Sequence, residues 1–163
     1  MNKKIVLLCF SISLLVNCQS KPKTTFSKLA LEDSLIQPND ESITVQEILK
    51  QHSGKYVFID VWASWCKDCR KALPDLEKLQ KQFPKMSYVF FSLDRSKKAW
   101  KKAIKQYNIE GDHYYMSSGW KGPLGQFLDL DWIPRYMIID PEGKILVYKA
   151  IETTDKNLLK HIQ

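Results

Sequence analysis

Apolar runs of two different periods alternate along the chain. Residues 56–62, Tyr-Val-Phe-Ile-Asp-Val-Trp, are β-branched and aromatic, with no polar alternation before Asp60. Such a run suits a strand buried on both faces, as in a parallel sheet. Over residues 66–83 the period lengthens: Leu73, Leu76, Leu79 and Phe83 share one side of a predicted helix. Pro74 lies inside that helix and should kink it. Residues 86–93 read as a second buried strand. Ser96 is placed to cap a helix that runs to about Tyr107. Its Lys97, Lys98, Lys101, Lys102 and Lys105 form a solvated face, with Trp100 and Ile104 looking inward. Residues 108–132 are less regular, with a short strand at 113–116 and a short helix at 124–128. Residues 136–139 form a strand, Asp140-Pro141-Glu142-Gly143 a turn, and residues 145–148 the hairpin partner. Residues 155–162 form a last helix. Upstream, residues 34–42 read as a loop around Pro38-Asn39-Asp40. Thr44 caps a short helix with Val45, Ile48 and Leu49 inward, closed by Gly54. The succession predicts an α/β sandwich with a mixed sheet.

Composition narrows the class. The 163 residues fit one domain with an extension. With 44% hydrophobic and 26% charged residues, collagen, wholesale disorder and a polytopic membrane protein are excluded. The net charge of +7 invites a nucleic-acid reading. The positive residues are interleaved with acids, however, and no recognition fingerprint accompanies them, so no nucleic-acid partner is expected.

The first eighteen residues stand apart. Lys3 and Lys4 precede an apolar run, residues 5–16, broken only by Ser11 and Ser13. That is the length of a signal-peptide core and short for a bilayer span. The run ends in Leu15-Val16-Asn17-Cys18, which resembles a bacterial lipobox, although Asn17 stands where Gly or Ala is usual. The resemblance implies a signal peptide over 1–17, lipidation at Cys18, a tether over 18–33 and a folded domain over 34–163. The protein would then be exported and anchored to a membrane on the periplasmic side. An ordinary secretory signal or an uncleaved anchor is the alternative. The four cysteines are Cys9, Cys18, Cys66 and Cys69. With Cys9 removed and Cys18 lipidated, only Cys66 and Cys69 would remain as thiols, in an oxidising compartment.

Trp65-Cys66-Lys67-Asp68-Cys69 follows a buried strand and opens a helix. Cysteines three apart on a first helical turn lie on one face and can close a small disulfide ring. The unpaired N–H groups and positive dipole end of the helix favour a thiolate at Cys66. Cys66 is therefore the expected nucleophile and Cys69 the expected resolving thiol. Lys67 should lower the Cys66 pKa and Asp68 should raise it, so the two partly cancel.

Together, Phe58-Ile59-Asp60-Val61-Trp62-Ala63-Ser64-Trp65-Cys66, Pro74 and Ile133-Pro134 ahead of a Pro-Glu-Gly turn make the chain resemble the thioredoxin superfamily from about Tyr56 onward. The export segment, Arg70-Lys71-Ala72-Leu73-Pro74-Asp75-Leu76 and the long interval from Cys66 to Pro134 make it most similar to the TlpA-like, ResA-type membrane-anchored branch. The resemblance implies a thioredoxin-like fold, a four- or five-stranded mixed sheet with helices on both faces and an insertion within residues 108–132. It implies a buried Asp60 that accepts the Cys69 proton. It also implies a cis Pro134 that sets the Ile133 backbone beside the substrate, and Trp65 as a partly exposed wall of the site. Trp62 is expected to pack. Arg135 replaces the commoner small residue after the proline. The expected activity is thiol–disulfide exchange by a monomer with no cofactor beyond its own redox-active disulfide. Because the His-containing dipeptide of disulfide-introducing relatives is absent, a reductant or isomerase is expected rather than an oxidant, with reduction the leading reading. Substrates would be other exported proteins, with apocytochromes one candidate class, and a membrane thiol reductase would act upstream.

Other readings fit less well. Structural zinc wants four ligands, and His52, His113 and His161 are scattered from the two thiols. Attachment of c-type haem needs His where Arg70 stands. A peroxiredoxin usually has Thr where Ala63 stands. A copper carrier or a non-catalytic lipoprotein on the same fold are the remaining alternatives.

Overall fold

A computed structural model describes residues 22–161. The centre of the sheet is the predicted apolar pair: β3 (Val57–Trp62) and β4 (Ser87–Ser92) run parallel, with Asp60 opposite Phe90. Every β3 residue is buried, which accounts for the absence of polar alternation in that run. β6 (Arg135–Ile139) lies antiparallel to β3 on the other side, with Tyr136 opposite Asp60, and β7 (Ile145–Ala150) completes a hairpin. β5 (Asp112–Tyr115) adds in parallel to β4.

The sheet is larger than the sequence suggested. Residues 34–42, read as a loop, contain β1 (Ser34–Ile36) and part of β2 (Ser42–Thr44), an antiparallel hairpin that joins the sheet beside β5. The order is β2-β1-β5-β4-β3-β6-β7, seven strands where four or five were expected. Each of the two strands is only three residues long and sends one apolar side chain inward, Leu35 or Ile43. A pattern that short carries no period.

Helices cover both faces, as expected for a thioredoxin-like α/β fold. α3 (Lys67–Gln82) lies on the face of Phe58 and Tyr88, whose rings sit 5.7 Å apart; the Tyr88 hydroxyl donates to the α3 carbonyl of Leu79 at 3.1 Å. α4 (Lys97–Tyr107) joins it there, with Trp100 against Tyr115. On the opposite face Tyr114 donates to Gln51 of α2 (Val45–Gln51) at 3.3 Å. α1 (Lys28–Glu32) packs with α2 and with α5 (Pro123–Phe127), and α6 (Lys156–Lys160) follows β7. The expected Thr44 cap is a full capping box with Glu47, and the Ser96 cap holds Ala99 N–H at 3.2 Å.

Residues 22–33 depart from the expected tether. Thr24 accepts from Ile145 N–H at 2.8 Å, Phe26 stacks on Phe127 at 4.9 Å, and Ala30 is fully buried. Lys23 donates to the Phe127 carbonyl at 2.6 Å and pairs with Asp129 at 3.1 Å. The folded domain therefore begins some ten residues earlier than the expected Ser34. Lys, Ser and Thr content suggested a solvated segment, but sparse apolar side chains at Phe26, Ala30 and Leu31 are enough to dock it. Asp33 then joins the segment to α5, its carboxylate accepting from Leu124 N–H at 2.9 Å and Ser118 Oγ at 2.8 Å. Cys18 and the rest of the expected signal and lipidation segment lie outside the described residues. Among those described, no helix is long and apolar enough to cross a membrane.

Candidate active site

β3 delivers the chain to the site and α3 carries it away. After Trp62 the loop turns, and Cys66 becomes the N-cap residue of α3, its Sγ accepting from Cys69 N–H at 3.1 Å. Cys66 and Cys69 form a disulfide, with Cα atoms 5.3 Å apart. The Cys66 sulfur thus occupies the place of a capping oxygen. It faces the free N–H groups and the positive end of a 16-residue helix, an arrangement that favours a thiolate there once the pair is reduced. Both cysteines are buried, Cys66 at 6% and Cys69 at 3% exposure.

The loop is held by residues that the motif did not single out. Asp94 accepts from Ser64 N–H at 3.1 Å and from Ser64 Oγ at 2.5 Å, while Ser92 Oγ donates to its other oxygen at 2.9 Å. Arg70 donates to the Ser64 carbonyl at 2.7 Å. Asp94 follows a buried strand, but only the fold shows that it points at the CxxC loop. Trp65 is 45% exposed, with its indole N–H directed at the Leu93 carbonyl. Its partial exposure is as expected. Trp62 is buried at 1% exposure.

The second half of the site arrives from the start of β6. The Ile133–Pro134 peptide is cis, as the resemblance implied. The Ile133 carbonyl oxygen lies 3.5 Å from Cys66 Sγ, within reach of a thiol proton in the reduced form. Pro134 borders an open groove that also takes in Trp132, Ile151, Asp68, Lys71 and Asp75. Trp132 and Ile151 are exposed apolar side chains and give this rim a hydrophobic character. Asp68 lies 3.9 Å from Lys71, so its charge is shared with a cation other than Lys67.

Arg135 points away from the groove. It is 1% exposed, donates to the Leu128 carbonyl at 3.2 Å and pairs with Asp131 at 2.6 Å. It thus braces residues 128–132, the loop that presents Trp132, Ile133 and Pro134. A small residue there could not. Arg135→Ala should lower unfolding stability by roughly 2–4 kcal/mol, because charge-assisted bonds and a packed stem are lost together. Denaturant unfolding checks this; a change below about 0.5 kcal/mol would show that the loop holds itself.

Asp60 is 3% exposed, on the sheet face that α3 covers. Its Oδ1 has no hydrogen-bond partner within the protein, and burial pushes its pKa up to about 8. A carboxyl group in that range can hold or release a proton near neutrality. The three histidines do not gather around the sulfurs: His113 stacks on Phe90 at 4.8 Å, His52 lies 3.7 Å from Asp112, and His161 is the C-cap residue of α6. Among the described residues no three His, Cys, Asp or Glu side chains are grouped as metal ligands.

Comparison with known proteins agrees with this geometry. Residues 54–145 match the family described as Thioredoxin-like. Over 117 residues the chain is 26% identical to the thiol-disulfide oxidoreductase ResA of Bacillus thuringiensis subsp. konkukian, covering 71% of this chain and 66% of that one. Over 104 residues it is 32% identical to the thiol:disulfide interchange protein DsbE of Yersinia pestis, covering 63% and 53%. The chain thus spans between about half and two thirds of these relatives' lengths. Among solved structures, the thioredoxin domain of a thiol-disulfide oxidoreductase from Bacteroides vulgatus superposes with a TM-score of 0.67 at 27% identity, over 85% of this chain and 98% of that one. With the matched residues covering more than half of its length, the chain belongs to the thioredoxin-like family, and its similarities fall on ResA-type members.

Proposed function

We propose that this protein is an exported thiol–disulfide oxidoreductase that reduces disulfides in other exported proteins. The observation that carries the reading is the Cys66–Cys69 pair at the N-terminus of α3, with the Ile133 carbonyl 3.5 Å from Cys66 Sγ. In the reduced protein the Cys66 thiolate attacks a substrate disulfide. One substrate sulfur leaves as a thiolate and a mixed disulfide forms. Cys69 then attacks Cys66 Sγ, giving up its proton to Asp60. The Cys66–Cys69 bond forms and the second substrate thiol departs. The substrate gains two electrons and the pair loses them, so a thiol reductase at the membrane must restore the dithiol. No cofactor beyond the pair is required.

The substrate chain lies beside Ile133 and Pro134 as a short extended segment, with Trp65 and the Trp132–Ile151 rim on either side. The chain works as a monomer, held to the membrane through lipid on Cys18. Apocytochromes awaiting haem are one substrate class with the required exposed cysteines.

The reduction potential tests the direction. Equilibrated in dithiothreitol or glutathione buffers and followed by Trp65 fluorescence, the pair should titrate near the thioredoxin value, roughly −270 mV. A value near roughly −120 mV would make the protein an oxidant. Absence of any reversible two-electron transition would remove the oxidoreductase reading, and about one copper per purified chain would replace it with metal delivery.

A further inference from the structure

Four side chains form a row across the sheet on the face that α3 covers. Strand pairing places His113 of β5 opposite Phe90 of β4, Phe90 opposite Asp60 of β3, and Asp60 opposite Tyr136 of β6. The Phe90 ring stacks on His113 and stands between it and Asp60. On the other side nothing intervenes: Asp60 and Tyr136 are cross-strand neighbours, whose Cβ atoms lie about 5 Å apart. Tyr136 is fully buried beside Phe58, ring to ring at 5.4 Å. Its hydroxyl has no hydrogen-bond partner within the protein, and neither has Asp60 Oδ1. The Trp62 indole N–H, two residues along β3 on the same face, is also unpartnered. The phenol and the carboxyl alone supply two polar contacts, the least that a buried water needs.

From this arrangement, and resting on the oxidoreductase reading above, we infer that Tyr136 is a positioning residue for Asp60. Its hydroxyl, joined to Asp60 Oδ1 through one buried water, donates to the carboxylate and moves its proton. The groups facing Asp60 are few. β4 offers Phe90, β6 offers Tyr136 and β3 offers Trp62; α3 covers this face with Cys69 in its first turn, and its Asp75 acts on Tyr136. Burial and the Asp60 and Asp75 carboxylates all push the Tyr136 phenol up, so it stays protonated and available as a donor. Asp75 also borders the open groove beside Pro134, which gives the proton a route to solvent. When Cys69 attacks the mixed disulfide, its proton passes to Asp60. It then leaves through the water and the Tyr136 hydroxyl, which accepts one proton and releases another and is itself unchanged. The departing substrate thiolate is protonated from solvent.

Full-length protein carrying Cys9→Ser and Cys18→Ser, so that Cys66 and Cys69 are its only thiols, reduced and mixed with 5,5′-dithiobis(2-nitrobenzoate), tests this. The first thionitrobenzoate released reports Cys66 attack and the second reports resolution by Cys69. Tyr136→Phe keeps the ring and removes only the hydroxyl. It should leave the first release unchanged, slow the second about tenfold near pH 7 and move the midpoint of its pH profile up by about one unit, since a donor to the charged carboxylate is lost. In an Asp60→Asn background the same change should add nothing. Unaltered second-release rates and midpoint in Tyr136→Phe would overturn the inference. So would a midpoint that moves in Trp62→Phe but not in Tyr136→Phe. The same protein with Tyr136 intact, if it released only one thionitrobenzoate at every pH, would overturn the oxidoreductase reading itself and this inference with it.

Discussion

Cys66→Ser should abolish disulfide exchange, whereas Cys69→Ser should hold substrates on the protein as mixed disulfides. The two cysteines are close in sequence but unequal in place. Cys66 is the capping residue: its sulfur receives the Cys69 N–H at 3.1 Å, sits against the Ile133 carbonyl and is next to the exposed Trp65. Cys69 lies one turn deeper, at 3% exposure, and meets a substrate sulfur only after Cys66 has brought it in. Loss of the nucleophile removes the covalent route, and the expected fall in insulin-reduction rate is at least about 10³-fold. Loss of the resolving thiol leaves the first step intact. A stable adduct should then be visible by mass spectrometry after mixing with a peptide disulfide, and should be released by dithiothreitol. Equal adduct yields for Cys66→Ser and Cys69→Ser would reverse the assignment. Full exchange activity in either variant would show that the pair is not the working centre.

Asp60→Asn should make the oxidised protein more stable in alkaline solution and slower as a catalyst. In the folded chain burial keeps the carboxyl protonated up to about pH 8, whereas in the unfolded chain it ionises near 3.8. Between those values the native state retains a proton that the unfolded state has released. Stability therefore falls as pH rises from about 4 to about 8, and the penalty is complete above that range. The span corresponds to roughly 6 kcal/mol at full extent. Asparagine matches the neutral acid in shape and cannot ionise. At pH 8.5 the variant should exceed the wild type by roughly 3–5 kcal/mol, a Tm difference on the order of 10 °C. Near pH 4 the two should agree to within about 1 kcal/mol. Urea unfolding of both proteins across this range is the measurement. Parallel curves would show that Asp60 ionises normally in the fold. The same variant should resolve mixed disulfides about 10²-fold more slowly, because no group near Cys69 would then accept its proton. Higher stability combined with lower activity is expected only where a buried ionisable group is retained for the chemistry.

The proportions of the sheet show where one-dimensional pattern loses force. β3 and β4 were legible because six successive buried positions in the one and five in the other leave dense apolar runs without polar alternation. α3 and α4 were legible because their apolar spacing persists over several turns and a side-chain cap marks the start of each. The β1–β2 hairpin offers only Leu35 and Ile43, separated by Pro38-Asn39-Asp40, and its pairing depends on β5, which lies about eighty residues away. The docking of residues 22–33 fails to register for the same reason: its partners Phe127, Asp129, Leu124 and Ile145 all come from the second half of the chain.

By itself the sequence determined the central strands, the helix that opens on Cys66, the pairing of Cys66 with Cys69 and the α/β class. Each of these depends on neighbours within a few residues: a period, a cap, a three-residue spacing. Its resemblance to thioredoxins extended this to Asp60 and Pro134. Only the tertiary structure decided which residues hold those groups in place. Asp94 reaches back thirty positions to Ser64, Arg135 turns inward to brace the loop before Pro134, and Tyr136 lies opposite Asp60 with both polar ends unpartnered. Such contacts are set by strand order and register. A strand's neighbour in the sheet is chosen by the packing of the whole chain, and that choice leaves no local trace in the residues it joins.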